Sequence, residues 1–398
     1  MLFLNTNRLE HYVRNWIELG FFVYFGSFFL LNHGSMTIPL LVFVVFPVVI
    51  LCVISRFKCV HDRRVMFVCL TFLGYLSLSA LWGGGGFSQA SKYSLYILCL
   101  MLSVQIVSQK ISENFVMKFI IFIGLIASIV YIVGILLSDN DLTTFMNGRF
   151  SFHDIVGWGR DNPIHSGMVI GVSFIAAWYL FPEKKLPVQL ILLVTIMLGA
   201  LLLLVTKSRG PMLSAAIILL CLALYRRKKS DLIFLFMLAI FAGLLFLFSN
   251  NFNQSVAERF NEDSYRLSIW REVLNIFMNH WLFGQGVGAS VIIADELSFR
   301  HSHNIFFDIL RVGGIVGGLL FVYMFVSMVR LSYIRPANMF YLLWLVFGLL
   351  SLFTNGKLPL CNPGGMEIFA FWIPLFLFYY MRKCPDSPTT NINKEIER

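Results

Sequence analysis

The sequence predicts an all-α, polytopic membrane protein with about twelve membrane-spanning helices and one long, partly helical loop between the ninth and the tenth. Three observations predict it. The chain has 398 residues, of which 58% are hydrophobic and only 13% charged, more apolar surface than a soluble core of that size needs. Its apolar residues come in repeated runs of roughly 17–25, the length that crosses the hydrocarbon layer as a helix. Lys and Arg sit in short clusters between the runs. With the N-terminus placed in the cytoplasm, 19 of them fall on that side and 11 on the other, with Lys118 inside the fifth run. This is the asymmetry of the positive-inside rule, and it puts both termini in the cytoplasm. The net charge of +10 is dispersed over these clusters, which argues against a nucleic-acid surface.

Taken in order, the expected spans are 16–31, 36–54, 65–82, 93–109, 114–137, 164–181, 187–205, 211–225, 231–249, 304–329, 338–354 and 366–381. Arg8 and Arg14 ahead of the first run look like the charged start of a signal peptide. Asn32-His33-Gly34-Ser35 is a poor cleavage site, however, and a second run follows at once, so the first reads as a retained signal anchor. After the third span, Trp82 and Gly83 to Gly86 read as the start of a flexible outer loop. No Lys-Ser/Thr follows, so a phosphate-cradling P-loop is not supported. The seven cysteines are scattered without metal-ligand spacing or a disulfide framework, and Cys361 is expected alone on the outer side as a free thiol. No internal repeat is apparent. Residues 1–381 read as a single transmembrane helical domain, and 382–398 as a polar cytoplasmic tail.

The cations that resist the bias carry the functional signal. Nine of the 11 outer Lys and Arg lie in just three segments, 139–163, 206–210 and 250–311, together with most of the outer acids. The functional face is therefore expected to be extracytoplasmic. The 250–303 segment is too long for a simple connector. Phe260, Leu267, Trp270, Leu274 and Phe277 fall on one face of a helix there, with Glu258, Asn261, Glu262, Ser268 and Glu272 opposite and Arg266 near the boundary. That pattern suits a helix lying in the membrane interface or capping the bundle.

Where this segment gives way to the tenth span stands Arg300-His301-Ser302-His303-Asn304. A histidine at a membrane–water boundary can serve as a general base, because its pKa lies near neutrality. His303 begins the tenth span. Asn304 can hold its imidazole or cap the helix, and His301 is a competing candidate expected to point elsewhere. Gly313, Gly314, Gly317 and Gly318 form a small-residue surface suited to close helix packing. Arg209 and Lys207 are squeezed into one short turn, Thr206-Lys207-Ser208-Arg209-Gly210-Pro211. Guanidinium binds phosphate oxygens bidentately, which makes Arg209 a natural pyrophosphate clamp. The bland alternatives are a headgroup contact for Arg209 and an intrahelical pair with Glu262 or Asp263 for Arg266. Arg149 and Arg160 are weaker substrate-binding candidates. Asp139-Asn140-Asp141 has a spacing that can hold a divalent cation, but no further clustered ligand stands out and no metal site is expected.

These residues carry a resemblance. His303-Asn304, nine residues, then Gly314-Ile315-Val316-Gly317 resembles the His-[Asn/Ser/Gln]-x9-Gly-x-x-[Gly/Thr/Val] motif of bacterial O-antigen ligases. Thr206-Lys207-Ser208-Arg209 resembles the Thr-x-[Ser/Thr]-Arg turn of that superfamily. Arg266, ahead of an apolar helix and a Phe-Gly-x-Gly-x-Gly turn from Phe283 to Gly288, looks like its second essential arginine. Gly148-Arg149-Phe150 with Asn162-Pro163 resembles a further superfamily feature. The resemblance runs from about the fifth span to the end of the chain.

The resemblance implies a GT-C-like fold and a metal-independent, inverting glycosyltransferase without a cofactor, at the periplasmic face of the bacterial inner membrane. The donor would be O-antigen linked to undecaprenyl pyrophosphate, and the acceptor a sugar hydroxyl of lipid A–core. His303 would take the acceptor proton, while Arg209 and Arg266 would bind the pyrophosphate. Lys207, Arg149, Arg160, Asn304, His301 and Arg300 would contact substrate. Polymerases and protein oligosaccharyltransferases share these features. The moderate length of 139–163 beside one long loop favours the ligase over a polymerase with two long outer loops. A transporter or flippase is a third reading, but paired half-repeats are absent and the ionisable residues gather at the outer surface, not mid-membrane.

Overall fold

In lipid every backbone N–H and C=O must be bonded internally, so apolar runs of this length fold as helices. The computed structural model describes residues 6–60, 62–137, 149–183, 185–229, 231–232, 235–236, 265–289, 292–294, 297–331 and 339–381. Helices follow in the order α1 (Thr6–Leu30), α2 (Gly34–Ile54), α3 (Arg63–Ser79), α4 (Phe87–Val107), α5 (Glu113–Leu137), the short α6 (Phe152–Val156), α7 (Pro163–Leu180), α8 (Leu186–Thr206) and α9 (Arg209–Arg226). Then come α10 (Arg266–Asn279), an antiparallel hairpin of β1 (Ile292–Ala294) and β2 (Leu297–Phe299), α11 (Ile305–Leu331), α12 (Met339–Asn355) and α13 (Ile368–Tyr380).

Among the described residues, α2, α4, α5, α7, α8, α9 and α11 are long and apolar enough to cross a membrane, and α12 and α13 are shorter apolar helices. The protein is a polytopic α-helical membrane protein, as the sequence predicts. Helices answer eleven of the twelve expected spans. The ninth, 231–249, lies almost wholly outside the described residues, as do Asp139-Asn140-Asp141, Glu258 to Asp263 and the tail 382–398.

Burial sorts the helices into layers. α13 is buried on every side from Ile368 to Tyr380, and α7 nearly so, which is how a helix apolar all round must sit. α5 instead shows an exposed stripe of Phe122, Ile126, Ile129 and Val133, one face of large apolar side chains that only hydrocarbon would cover. α3 and α11 pack along each other, with Phe72 against Phe321 at 5.6 Å and Tyr75 Oη donating to Gly313 O at 2.7 Å.

α11 is not one continuous helix. Gly314 has φ 60° and ψ −161°, and the helix breaks there. The backbone of 281–286 docks onto the break. Ile315 N donates to Trp281 O at 2.8 Å, Gln285 N to Arg311 O at 2.8 Å and Gly286 N to Val312 O at 2.9 Å. A Cβ on Gly314 would clash with Leu282 O, and one on Gly284 with Val312 O. The expected helix-packing role of the glycines is therefore corrected in part. Gly313 and Gly317 do face Tyr75 of α3, but Gly314 is needed to admit a loop's backbone. The run Gly83 to Gly86 is likewise no free loop. It lies against residues 286–288, with Trp82 Nε1 donating to Gly284 O at 3.3 Å and Val287 N to Ser79 Oγ at 3.1 Å.

Candidate active site

The last turn of α12 and the irregular segment after it organise this end of the bundle. The apolar run of α12 stops at Phe353-Thr354-Asn355-Gly356, and each of the first three residues holds a different element. The Phe353 ring meets Trp270 of α10 at 5.7 Å. Thr354 Oγ1 occupies the place that a side chain on Gly210 would need, so α9 closes on α12 at that glycine. Asn355 Oδ1 lies 3.3 Å from His303 Nδ1. Arg209, Arg266 and His303 are thus each carried by an element anchored to one helical turn.

Arg209 opens α9. α8 ends at Thr206, whose hydroxyl bonds back to Leu203 O at 2.8 Å, and Lys207 then adopts a left-handed conformation with φ 44°. The chain reverses within two residues. Lys207 is turned inward and buried, while Arg209 remains exposed.

Arg266 opens α10 after Tyr265, also left-handed at φ 52°. One turn on, and so on the same face, Trp270 donates its indole N–H to Ser302 O at 3.0 Å and packs on Phe307 at 5.5 Å. Those contacts fix the rotation of the helix. Ile269 and Val273 are buried, with Trp270 and Ile276 around them. Leu267 and Leu274 are 76% and 45% exposed. Phe260 lies outside the described residues.

His303 does not begin the helix. Its φ is 55°, and α11 starts at Ile305. Asn304 is the cap, its Oδ1 accepting from Phe306 N at 2.9 Å and Phe307 N at 3.2 Å. The residue against the imidazole is Asn355, not Asn304. The left-handed turn at His303 also brings His301 to the same side, with ring centroids 4.3 Å apart. This corrects the expectation that His301 points elsewhere. Buried Asp308 locks the loop. It accepts Ser302 N at 3.1 Å on one oxygen and Leu358 N at 3.0 Å on the other, and pairs with Arg311 at 3.2 Å.

The three candidates also share an electrostatic field. Burial pushes the Arg266 guanidinium down from its ordinary pKa, and Arg209 adds to the shift. Burial likewise lowers the His303 imidazole. The Asn355 bond and Asp308 oppose this, and the Arg266 charge reinforces it. Burial, then His303, pull His301 down to about 4. Both imidazoles are therefore neutral at pH 7, the form a proton acceptor requires. An amide oxygen can only accept, so the bond to Asn355 puts the ring hydrogen on Nδ1 and leaves the lone pair on Nε2.

The other predicted residues separate. Arg300 and Arg149 are exposed. Arg160 is fully buried, donating to Phe28 O and Gly364 O at 3.0 Å each and stacking over Phe28 at 4.7 Å. Cys361 is buried beside Glu367. Lys357, which the sequence reading passed over, is charged near His301. Burial opposes its ammonium, but Glu367 and Cys361 more than offset this and raise its pKa.

The fold and site define a class, a multi-pass helical membrane protein with two arginines and a neutral histidine gathered at one end of the bundle. Residues 192–322, which hold Arg209, Arg266 and His303, match the family model described as O-antigen ligase. The chain is also 31% identical over 235 residues to an O-antigen ligase of Pseudomonas aeruginosa. That alignment covers 56% of this chain and 56% of the relative, so the chain spans about half of that protein's length. The resemblance to O-antigen ligases drawn from the motifs is borne out over these segments.

Proposed function

We propose that this protein is an O-antigen ligase that transfers polysaccharide from undecaprenyl pyrophosphate to a sugar hydroxyl of lipid A–core, at the periplasmic face of the inner membrane. The observation that carries the reading is the shared anchorage of Arg209, Arg266 and His303 on Phe353, Thr354 and Asn355. One base and two guanidiniums held from one helical turn suit a displacement at a sugar carbon bonded to pyrophosphate.

In this reading the acceptor oxygen attacks the anomeric carbon from the face opposite the leaving group, so the configuration inverts. His303 Nε2 takes the hydroxyl proton as the new C–O bond forms. The bond to pyrophosphate breaks, and its electron pair leaves with the lipid carrier. Arg209 and Arg266 face the charge that grows on the leaving group, which is where fixed cations lower a barrier most. Their charge supplies what a divalent ion would, so the step is written without a metal. Lys207, Arg149, Arg300 and His301 lie on segments that can meet the sugars. The Lys and Arg distribution supports cytoplasmic termini.

The test is lipopolysaccharide gel analysis of a deletion strain with analysis of its donor lipids. Loss of the whole ladder, with long undecaprenyl-linked chains accumulating, is the expected result. Core carrying a single repeat would make the protein a polymerase. An unchanged ladder would remove the transferase reading.

A further inference from the structure

We propose that Asn355 is a positioning residue for the reaction, holding the His303 ring through its amide oxygen so that Nε2 presents its lone pair to the acceptor hydroxyl. The proposal rests on His303 acting as the base.

The geometry favours a dedicated holder. Asn355 Oδ1 stands 3.3 Å from His303 Nδ1 across 52 residues of sequence. Asn304, adjacent to the histidine, has its Oδ1 committed to the helix cap, and the oxygen against its neighbour's ring is that of Asn355. His303 sits at φ 55°, a conformation that a non-glycine residue keeps only where its surroundings impose it. Those surroundings are rigid. Ser302 is bonded to Asp308 and to Trp270, and a Cβ on Gly356 would clash with Leu352 O, so the end of α12 cannot be remodelled freely. An imidazole that must give and take protons at one nitrogen is held at the other, and the holder's chemistry sets its basicity.

The groups facing His303 are His301 on the preceding loop, Arg266 on α10, Asp308 on α11 and Asn355 on α12. Only the last accepts a hydrogen bond from the ring among the described residues. Changing it therefore moves the titration of the base in a direction fixed by the substituent. Leucine removes the acceptor and makes the imidazolium easier to deprotonate. Aspartate replaces the amide oxygen with a charged one and makes it harder.

The experiment is reconstituted transfer from lipid-linked polysaccharide to lipid A–core by full-length Asn355→Leu, Asn355→Asp and His303→Ala proteins, with kcat/KM measured against pH. Asn355→Leu is expected to lose about 10–100-fold, with its acid limb moved to lower pH. Asn355→Asp is expected to keep more activity, with its acid limb moved to higher pH. A purely structural residue would not give opposite displacements, and the near-isosteric Asp variant guards against loss of fold. Acid limbs at the wild-type position in both variants, with His303→Ala inactive, would overturn the positioning role alone. Full activity of His303→Ala would overturn the base and this proposal with it.

Discussion

Two turns at the same end of the bundle each carry an arginine that the sequence sets against the inward bias of positive charge, and the fold treats them in opposite ways. Arg160, in the turn before α7, is driven into the core, where Phe28 O and Gly364 O accept from its Nε and Nη1, the Phe28 ring lies against it, and Nη2 has no partner among the described residues. Arg266, at the start of α10, is only partly buried, and among the described residues the charge that shifts it is another cation, Arg209. A guanidinium bonded to backbone carbonyls stitches segments together. Two guanidiniums close enough for one to shift the other concentrate positive charge in one place, which suits an anionic ligand. The same residue type thus reads as structural or as ligand-seeking according to what faces it.

The largest expected effect would break this comparison outright. His303→Ala or Arg266→Ala should abolish most transfer, by about 10²–10⁴-fold for loss of a general base and about 10²–10³-fold for loss of a charge-stabilising donor. Both proteins should insert and melt as the parent does. Arg160→Met should do the reverse. Each hydrogen bond to a buried charged group is worth about 1.5–3 kcal/mol, so the variant should show lower yield and a lower Tm before any change in kcat. Thermal melts in detergent beside transfer assays give both readouts. A stable, inactive Arg160→Met would move that arginine to the substrate side.

Next in size comes the break in α11. Gly314→Ala places a side chain at positive φ and against Leu282 O, a strain of about 1–3 kcal/mol. The 281–286 backbone must then withdraw from residues 311–316. Because that segment continues directly from α10, the expected outcome is a fall in activity larger than the fall in Tm would explain. Gly318→Ala, in regular helix, is the control and should leave activity nearly intact. Equal effects would mean that the break does not position α10.

The helices were legible because hydropathy needs no partner to be read. The period, length and flanking charges of each run are local, and α2, α5 and α8 follow from them directly. His303, Arg209 and Arg266 were legible as candidates because cations and an imidazole on the wrong side of a charge bias stand out. Asn355 was not. An asparagine followed by glycine after an apolar run reads as a helix stop, and its contact to His303 closes only in three dimensions. The burial of Arg160 was hidden for the same reason, since its acceptors lie 132 and 204 residues away in the chain. The pairing of His301 with His303 depends on one left-handed backbone angle, which a non-glycine residue does not advertise. The role of Trp270 as the hydrogen-bonded pivot of α10 was not legible either, because its bond to Ser302 O spans 32 residues.

The smallest effect tests the shared field. A base must be unprotonated to work, so kcat/KM should rise with pH through the pKa of His303 and then level off. Burial and Arg266 hold that pKa below the ordinary value of 6.5, so the acid limb of the wild type should lie below pH 6.5. Arg266→Gln removes a positive charge that disfavours the imidazolium. Its residual activity should therefore show the limb moved upward, toward 6.5, while the absolute rate falls. Arg160→Gln, although it too deletes a cation at this end of the bundle, should leave the limb in place, because Arg160 is not among the groups that shift His303. A limb that moves in both variants would point to a diffuse charge effect. One that moves only with Arg266 would tie this arginine to the titration of His303.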